Sequence, residues 1–223
     1  MMIGFRILPR TRQLPAALIE GFRSVPVANV SDCMGRMIAG GAHLRPYHKA
    51  GGMVGPAFTV KARPGDNLMI HKALHLAQPG DVIVVDGGGD LTNALMGELM
   101  VATAIKRGLG GIVLNGAIRD LDAIQAGTFA VYAAGVTHRG PYKDGPGEIN
   151  VPIAIGGMVI NPGDLMLGDA DGLLCVPFDS AQYILDAALT KCAAEKVTVQ
   201  EIAEGRLDTT WIDTQLERQG YKA

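Results

Sequence analysis

The chain has 223 residues, 48% of them hydrophobic but only 5% aromatic, and its 20 Lys and Arg nearly balance 22 Asp and Glu, for a formal net charge of −2. That length suits a single domain, 1–223, whose core is aliphatic and rich in Ala and Gly. The charge balance excludes a bulk attraction to nucleic acid or to an anionic membrane.

Cys33, Cys175 and Cys192 are widely spaced and contain no CxxC pair. They read as reduced, packed thiols rather than a disulfide or zinc framework. No apolar run approaches the length of a membrane span, and Arg6, Pro9, Arg10 and Arg12 interrupt the start before a signal-like core forms. The expectation is a soluble, cytoplasmic protein.

In chain order, Pro15 to Arg23 predicts a short helix and Val25 to Val30 an extended connection. Ser31 and Asp32 then offer side-chain oxygens to cap a helix over Cys33 to Ile38. Gly51 to Ala62 alternates small, apolar and polar residues and predicts one or two strands around a Gly-Pro break. Leu68 to Ala77 predicts a helix carrying His71 and His75 on one face. The residues between them lack the glutamate of an HExxH site, so the pair reads as packing, with His71 a candidate pocket wall.

The stretch from Asp81 to Asp120 carries the chemistry. Val82 to Val85 is a short β-branched run that ends at Asp86 and three glycines, a buried strand entering a turn. Gly97 to Arg107 predicts a helix stopped by Gly108, and Ile112 to Leu114 a second buried strand followed at once by Arg119 and Asp120. In a parallel strand–helix–strand unit the helix starts near the carboxyl ends of both strands, so Glu98 meets Arg119 and Asp120 in one crevice. The first helical turn leaves the N–H groups of Gly97, Glu98, Leu99 and Met100 free to hold an anion. Two carboxylates beside one guanidinium suit a hard divalent cation such as Mg²⁺ or Mn²⁺, and a small carboxylate substrate completes the set. The bland reading of the same residues is a surface ion pair at a loop.

Beyond this unit, Leu121 to Ala126 predicts a helix and Ala130 to Ala134 a strand. The loop from Thr137 to Asn150 is long and rich in Gly, Pro and charge. His138, Arg139 and Lys143 on it are candidates to meet a substrate's distal carboxylate, against simple solvation. Val151 to Leu167 predicts two strands about a turn at Asn161 to Asp164. Gly168 to Gly172 lacks calcium-loop spacing and reads as a turn. Gly172 to Pro177 predicts a last strand and Ser180 to Glu204 a long helix. A polar tail with Trp211 follows.

Glu98, then twenty residues, then Arg119-Asp120 resembles the acidic-x20-Arg-Asp signature of the class II pyruvate aldolases that cleave 4-hydroxy-4-methyl-2-oxoglutarate and 4-carboxy-4-hydroxy-2-oxoadipate. The wider family includes the RraA-like regulators of ribonuclease E activity. Val27 to Gly35, Gly65 to Asn67, Pro79 to Asp86, Gly116 to Asp120 and Pro162 to Pro177 are similar to family segments as well.

The resemblance implies an α/β fold, the αββα sandwich of the phosphohistidine swivelling-domain type. It implies that Gly97, Glu98, Leu99, Met100 and Arg119 bind substrate, and that Asp120 ligates Mg²⁺ or Mn²⁺. Glu98 stands where some members have Asp. It also implies a homotrimer or homohexamer, with residues of about 180–223 at a subunit interface and a neighbour's glutamate, Glu195 or Glu201, supporting the metal site.

The activity so implied is retro-aldol cleavage of a 4-hydroxy-2-oxo acid to pyruvate and a second oxo acid, with oxaloacetate decarboxylation as a side activity. Arg119 steadies the enolate and Glu98 orients the water that takes the proton, so Arg119, Glu98 and Asp120 are the catalytic set. The alternative is a non-catalytic regulator that binds an RNA-degrading enzyme, a branch in which the position of Asp120 is not kept acidic. Methyl transfer is the weakest reading, because GGGDLTNALMG is not a GxGxxG nucleotide loop.

Overall fold

The computed structural model describes residues 3–38, 40 and 42–221. Its elements, in chain order, are α1 (Ala16–Phe22), α2 (Val27–Cys33), β1 (Arg45–Pro46), β2 (Met53–Ala62), α3 (Leu68–Leu76), β3 (Val82–Asp86), β4 (Ala94–Met96), α4 (Glu98–Lys106) and β5 (Gly111–Ile118). There follow α5 (Leu121–Ala126), β6 (Val131–Val136), β7 (Gly147–Ile149), β8 (Ile153–Ile155), β9 (Met158–Ile160), β10 (Leu165–Gly168), β11 (Leu173–Val176), α6 (Ala181–Ala203) and α7 (Thr210–Arg218).

One sheet runs in the order β1-β6-β5-β3-β2-β10-β11, with β4 added beside β5 and β7 beside β2, and β8 and β9 form a separate hairpin. The strand that shapes it is β2. Residues 57–61 pair in parallel with β3, whereas residues 53–56 pair antiparallel with β10. Gly55 lies against the main-chain oxygen of Gly80 with no room for a Cβ, so this close approach requires glycine. The Gly-Pro break therefore marks the place in one continuous strand where its partners change.

Side-chain alternation along the strands sorts the core into layers. Ile83 and Val85 of β3, with Ile112 and Leu114 of β5, pack under α3 and α4. Their neighbours Val82, Val84 and Val113 face a middle layer with Met166, Cys175, Ile153 and Ile160. On β10 and β11, Leu165, Leu167, Leu174 and Val176 turn the other way, onto Phe22 of α1, Val27 and Val30 of α2, and Ile184 and Ala188 of α6. The sheet curls on itself, leaving helices on both outer faces, and the predicted α/β fold with αββα layering is borne out.

Several predictions fail locally. Residues 27–33 are helical, not extended, and Cys33 ends that helix instead of opening one. The β-branched valines favoured a strand, but α2 is fixed by tertiary bonds: Val27 N–H donates to Asp169 Oδ2 at 2.9 Å and Asn29 Nδ2 to Glu195 Oε2 at 2.5 Å. Among the described residues Asp32 caps no helix; it pairs with Arg36 at 2.8 Å and Lys191 at 3.1 Å. The region from Val151 to Leu167 holds three strands, β8 to β10, and the tail carries α7. Cys175 is buried, Cys33 and Cys192 are partly buried, and all three are free thiols. No helix of the described residues is long and apolar enough to cross a membrane.

Candidate active site

The predicted parallel unit exists, with β3 paired to β5 from Val82↔Gly111 to Asp86↔Asn115. Its crossover contains one element that the sequence concealed. Residues Ala94–Met96 form β4, parallel to the end of β5 with Ala94 opposite Ala117 and Met96 opposite Ile118. Gly97 and Arg119 each follow directly on one of those paired positions. Arg119 N–H also donates to Met96 O at 2.9 Å, so the two ends of the signature are held by main-chain bonds.

Asp120 adopts the left-handed conformation, φ 57° and ψ 44°, as it leaves β5 for α5. That conformation costs about 1–2 kcal/mol for most residues, but Asp and Asn tolerate it better. It turns the carboxylate back onto the amino end of α4, where Oδ2 accepts the Glu98 N–H at 2.9 Å. Arg119 Nε lies 3.7 Å from the same oxygen. Gly97 supplies the space: a Cβ there would overlap Asp120 Oδ2 and lie 3.0 Å from Arg119 Cγ. Its φ of −148° is ordinary extended backbone, so glycine is required by the close approach and not by the dihedral.

The helix end is less open than predicted. The Glu98 N–H is taken by Asp120, and the Met100 N–H points to Gly97 O at 3.1 Å. Glu98 reaches this cluster through its main chain. Its side chain is exposed and does not line the adjoining cavity.

That cavity, about 350 Å³, is lined by Gly97, Leu99, Met100, Arg119 and Asp120 together with Asn67 and His71 near the start of α3 and Gly140, Pro141 and Lys143 from the loop before β7. Of the candidates on that loop, Lys143 lines the cavity and His138 and Arg139 do not. Burial, reinforced by the charges of Lys143 and His75, lowers the His71 pKa and favours its neutral form. Asn67 is 3% exposed and donates to Leu95 O at 2.9 Å, while its Oδ1 has no partner among the described residues. Asn67 belongs to a segment that the sequence marked, yet nothing in its type or spacing identified it as a wall of this cavity. Neither Glu195 nor Glu201 lines the cavity of its own chain.

The donor chemistry fits a hard cation. Among the described residues both contacts of the Asp120 carboxylate use Oδ2 and none uses Oδ1. Among the described residues no three His, Cys, Asp or Glu side chains converge. An ion here would have one carboxylate anchor and take further oxygens from water and substrate, the manner in which Mg²⁺ is commonly held.

A mixed α/β domain with an acid–Arg–Asp cluster at the carboxyl ends of its parallel strands defines the class. The RraA-like family, described as Aldolase/RraA, matches residues 27–175, and the chain belongs to it. A protein of Halalkalibacterium halodurans, provisionally named a 4-hydroxy-4-methyl-2-oxoglutarate aldolase, is 39% identical over 186 residues, 83% of this chain and 89% of that protein. A Thermus thermophilus protein named 4-hydroxy-4-methyl-2-oxoglutarate aldolase is 37% identical over 112 residues, 50% of this chain and 68% of its own. Among solved structures, Streptomyces coelicolor RraAS2, described as an unusual member of the RNase ES inhibitor RraA protein family, superposes with a TM-score of 0.75 at 25% identity, covering 83% of this chain and 97% of its own.

Proposed function

We propose that this chain is a divalent-metal-dependent aldolase that cleaves a 4-hydroxy-2-oxo acid of the 4-hydroxy-4-methyl-2-oxoglutarate type into pyruvate and a second oxo acid. The observation that carries the reading is the contact of Asp120 with the amino end of α4 beside Arg119, in a cavity of small-molecule size. The names of the two aldolase relatives support the substrate class.

A cation held by Asp120 would supply Lewis-acid stabilisation of charge on the 2-oxo oxygen. The chain's own residues do the rest. Arg119 binds the pyruvoyl portion and donates to the oxygen on which negative charge develops. The amino end of α4, at Gly97 to Met100, receives the carboxylate through remaining N–H capacity and the helix dipole. Loss of the C4 hydroxyl proton to a water breaks the C3–C4 bond. The hydroxyl carbon leaves as a carbonyl and the electron pair forms pyruvate enolate, which is protonated at C3. Decarboxylation of oxaloacetate yields the same enolate and is expected as a side activity. No lysine forms a Schiff base in this scheme.

We further assign the C-terminal region to a subunit interface in a homotrimer or homohexamer, and the protein to the cytoplasm. In support of the interface, Trp211, Ile212 and Leu216 of α7 are exposed in the single chain, as are Val197, Val199 and Ile202 of α6.

The test is proton NMR of pyruvate in D₂O with the purified protein, with Mg²⁺ or Mn²⁺ and then with EDTA. Metal-dependent loss of the methyl signal is expected. A folded protein that exchanges nothing with any metal moves the assignment to a regulator of an RNA-degrading enzyme, the reading favoured by the fold shared with RraAS2.

A further inference from the structure

The loop before β7 supplies Gly140, Pro141 and Lys143 to the cavity wall and is anchored by two separate sets of bonds. The first set ties it to residues near the site. Arg139 O accepts the Ala94 N–H at 2.8 Å, and Gly140 O accepts Asn93 Nδ2 at 2.5 Å. The Tyr142 N–H donates to Gly65 O at 2.8 Å, and Tyr142 O accepts the Asn67 N–H at 3.0 Å. Buried Asp66 then accepts the N–H groups of Asp144 at 2.7 Å and Gly145 at 2.8 Å.

The second set comes from the start of the chain, where the sequence showed only an apolar stretch interrupted by Arg6. Residues 4–8 run parallel to β7, with Ile7 bridged to Ile149. The Gly147 N–H donates to Gly4 O at 2.7 Å, the Ile149 N–H to Arg6 O at 2.9 Å and the Leu8 N–H to Ile149 O at 3.1 Å. Glu148, 6% exposed, closes the arrangement: Oε1 accepts the Gly4 N–H and Arg6 Nε, both at 2.7 Å, and Oε2 accepts Arg6 Nη2 at 2.6 Å. A carboxylate held by two guanidinium bonds fixes direction as well as distance. The Phe5 ring packs on Gly145, where a Cβ would lie 2.8 Å from its Cε1, and a Cβ on Gly4 would lie 3.2 Å from Pro146 Cβ. The segment therefore touches the two residues that join the loop to β7. Ile3, Phe5 and Ile7 are exposed and add nothing to the buried core. The anchorage is polar and local, so its action is on β7 and the loop and not on the fold as a whole.

We propose that residues 4–8 are a clasp that holds the loop before β7 in place as a wall of the cavity, with Arg6, acting through Glu148, as its positioning residue. The proposal rests on the aldolase reading. The pyruvoyl head is held at the β4–α4 corner and by Arg119, which the clasp does not touch, whereas the remainder of a cleavable substrate lies against the loop. Releasing the clasp lowers the fraction of molecules in which that wall is in place, and apparent affinity falls by the same fraction.

The experiment measures kcat and KM for cleavage of 4-hydroxy-4-methyl-2-oxoglutarate, and methyl exchange of pyruvate in D₂O, well below the melting temperature. Wild type, Arg6→Ala, Arg6→Lys and Phe5→Ala are compared, with hydrogen exchange of the loop read by mass spectrometry. Arg6→Ala is expected to raise KM for cleavage about 10-fold, the low end of the range for a hydrogen bond between charged groups. Its pyruvate exchange at saturation should stay within about 2-fold of wild type, while the loop before β7 loses protection and α3 and α4 keep theirs. Arg6→Lys should recover most of the KM, because a charged donor to Glu148 remains. Phe5→Ala, which leaves the ion pair intact, should shift KM in the same direction as Arg6→Ala. An unchanged KM in Arg6→Ala, an unprotected loop with no effect on KM, or equal losses in cleavage and pyruvate exchange overturns the clasp while wild-type exchange leaves the aldolase standing. A wild type that neither exchanges pyruvate protons nor cleaves the acid overturns the aldolase reading and the clasp with it.

Discussion

The Glu98 N–H donates to Asp120 Oδ2 at 2.9 Å across 22 residues of sequence, joining the amino end of α4 to the residue that leaves β5. The bond needs both the left-handed backbone of Asp120 and the missing Cβ of Gly97. Backbone strain and a close approach thus meet at one carboxylate, and each can be probed separately.

Asp120→Asn keeps a residue that tolerates positive φ and removes the charge. The expected outcome is a melting temperature within about 2 °C of wild type and a loss of metal-dependent pyruvate exchange of at least about 10²-fold. Asp120→Ala should lose activity equally and also cost about 1 kcal/mol of stability, because alanine is strained at a φ of 57°. Calorimetry alongside the exchange assay separates the two effects.

Gly97→Ala should leave the fold intact, since the extended backbone there accepts any residue. The added methyl displaces Asp120 and Arg119 together, so activity is expected to fall by about 10²-fold or more. A variant that keeps wild-type activity would show that this close approach does not matter to the chemistry.

Arg119 is half exposed and has Asp120 as its ion-pair partner, at 3.7 Å, so little stability depends on its guanidinium. Arg119→Ala is expected to lower kcat/KM by about 10²- to 10³-fold, the usual loss for one donor to a developing oxyanion. Borohydride treatment with pyruvate should trap no adduct on any variant or on wild type; a covalent adduct seen by mass spectrometry would contradict the enolate scheme.

Asp66→Ala removes the acceptor for the Asp144 and Gly145 N–H groups and leaves them without a partner next to the cavity. The expected cost is on the order of 3 kcal/mol. Hydrogen exchange should show the change concentrated in the loop before β7, which is where loss of that one carboxylate acts.

A pH dependence follows from Glu148, on β7. Arg6, first by its hydrogen bonds and then by its charge, with help from the Gly4 N–H, lowers the pKa of Glu148 from 4.5 to about 2. A carboxylate whose folded pKa is depressed contributes stability above its unfolded pKa and loses it as pH falls through the folded value. Glu148→Gln should therefore be less stable than wild type at pH 6, by about 1–2 kcal/mol once solvent screening of the pair is counted. The gap should close between pH 4.5 and about pH 2. Melting curves of both proteins across that window check it, and a gap independent of pH would assign the effect to packing.

The amino-acid sequence by itself determined the central unit. Val82 to Val85, Gly97 to Arg107 and Ile112 to Leu114 have clear strand and helix patterns, because buried parallel strands are continuously apolar and a helix stopped by glycine declares its end. The cluster of Glu98, Arg119 and Asp120 followed from that topology. Tertiary structure decided what local pattern does not encode. Three residues, Ala94 to Met96, are too few to show a period, and they are a strand only because the end of β5 lies beside them. Residues 27–33 are a helix despite their valines because Asp169 and Glu195, more than 140 residues away, bond to it. Glu98 and Lys143 could be named from the sequence, but whether each side chain faces the cavity depends on a helix phase and a loop path. Those are fixed by Asp120 and Asp66, through contacts distant in the chain, and no local propensity carries that information.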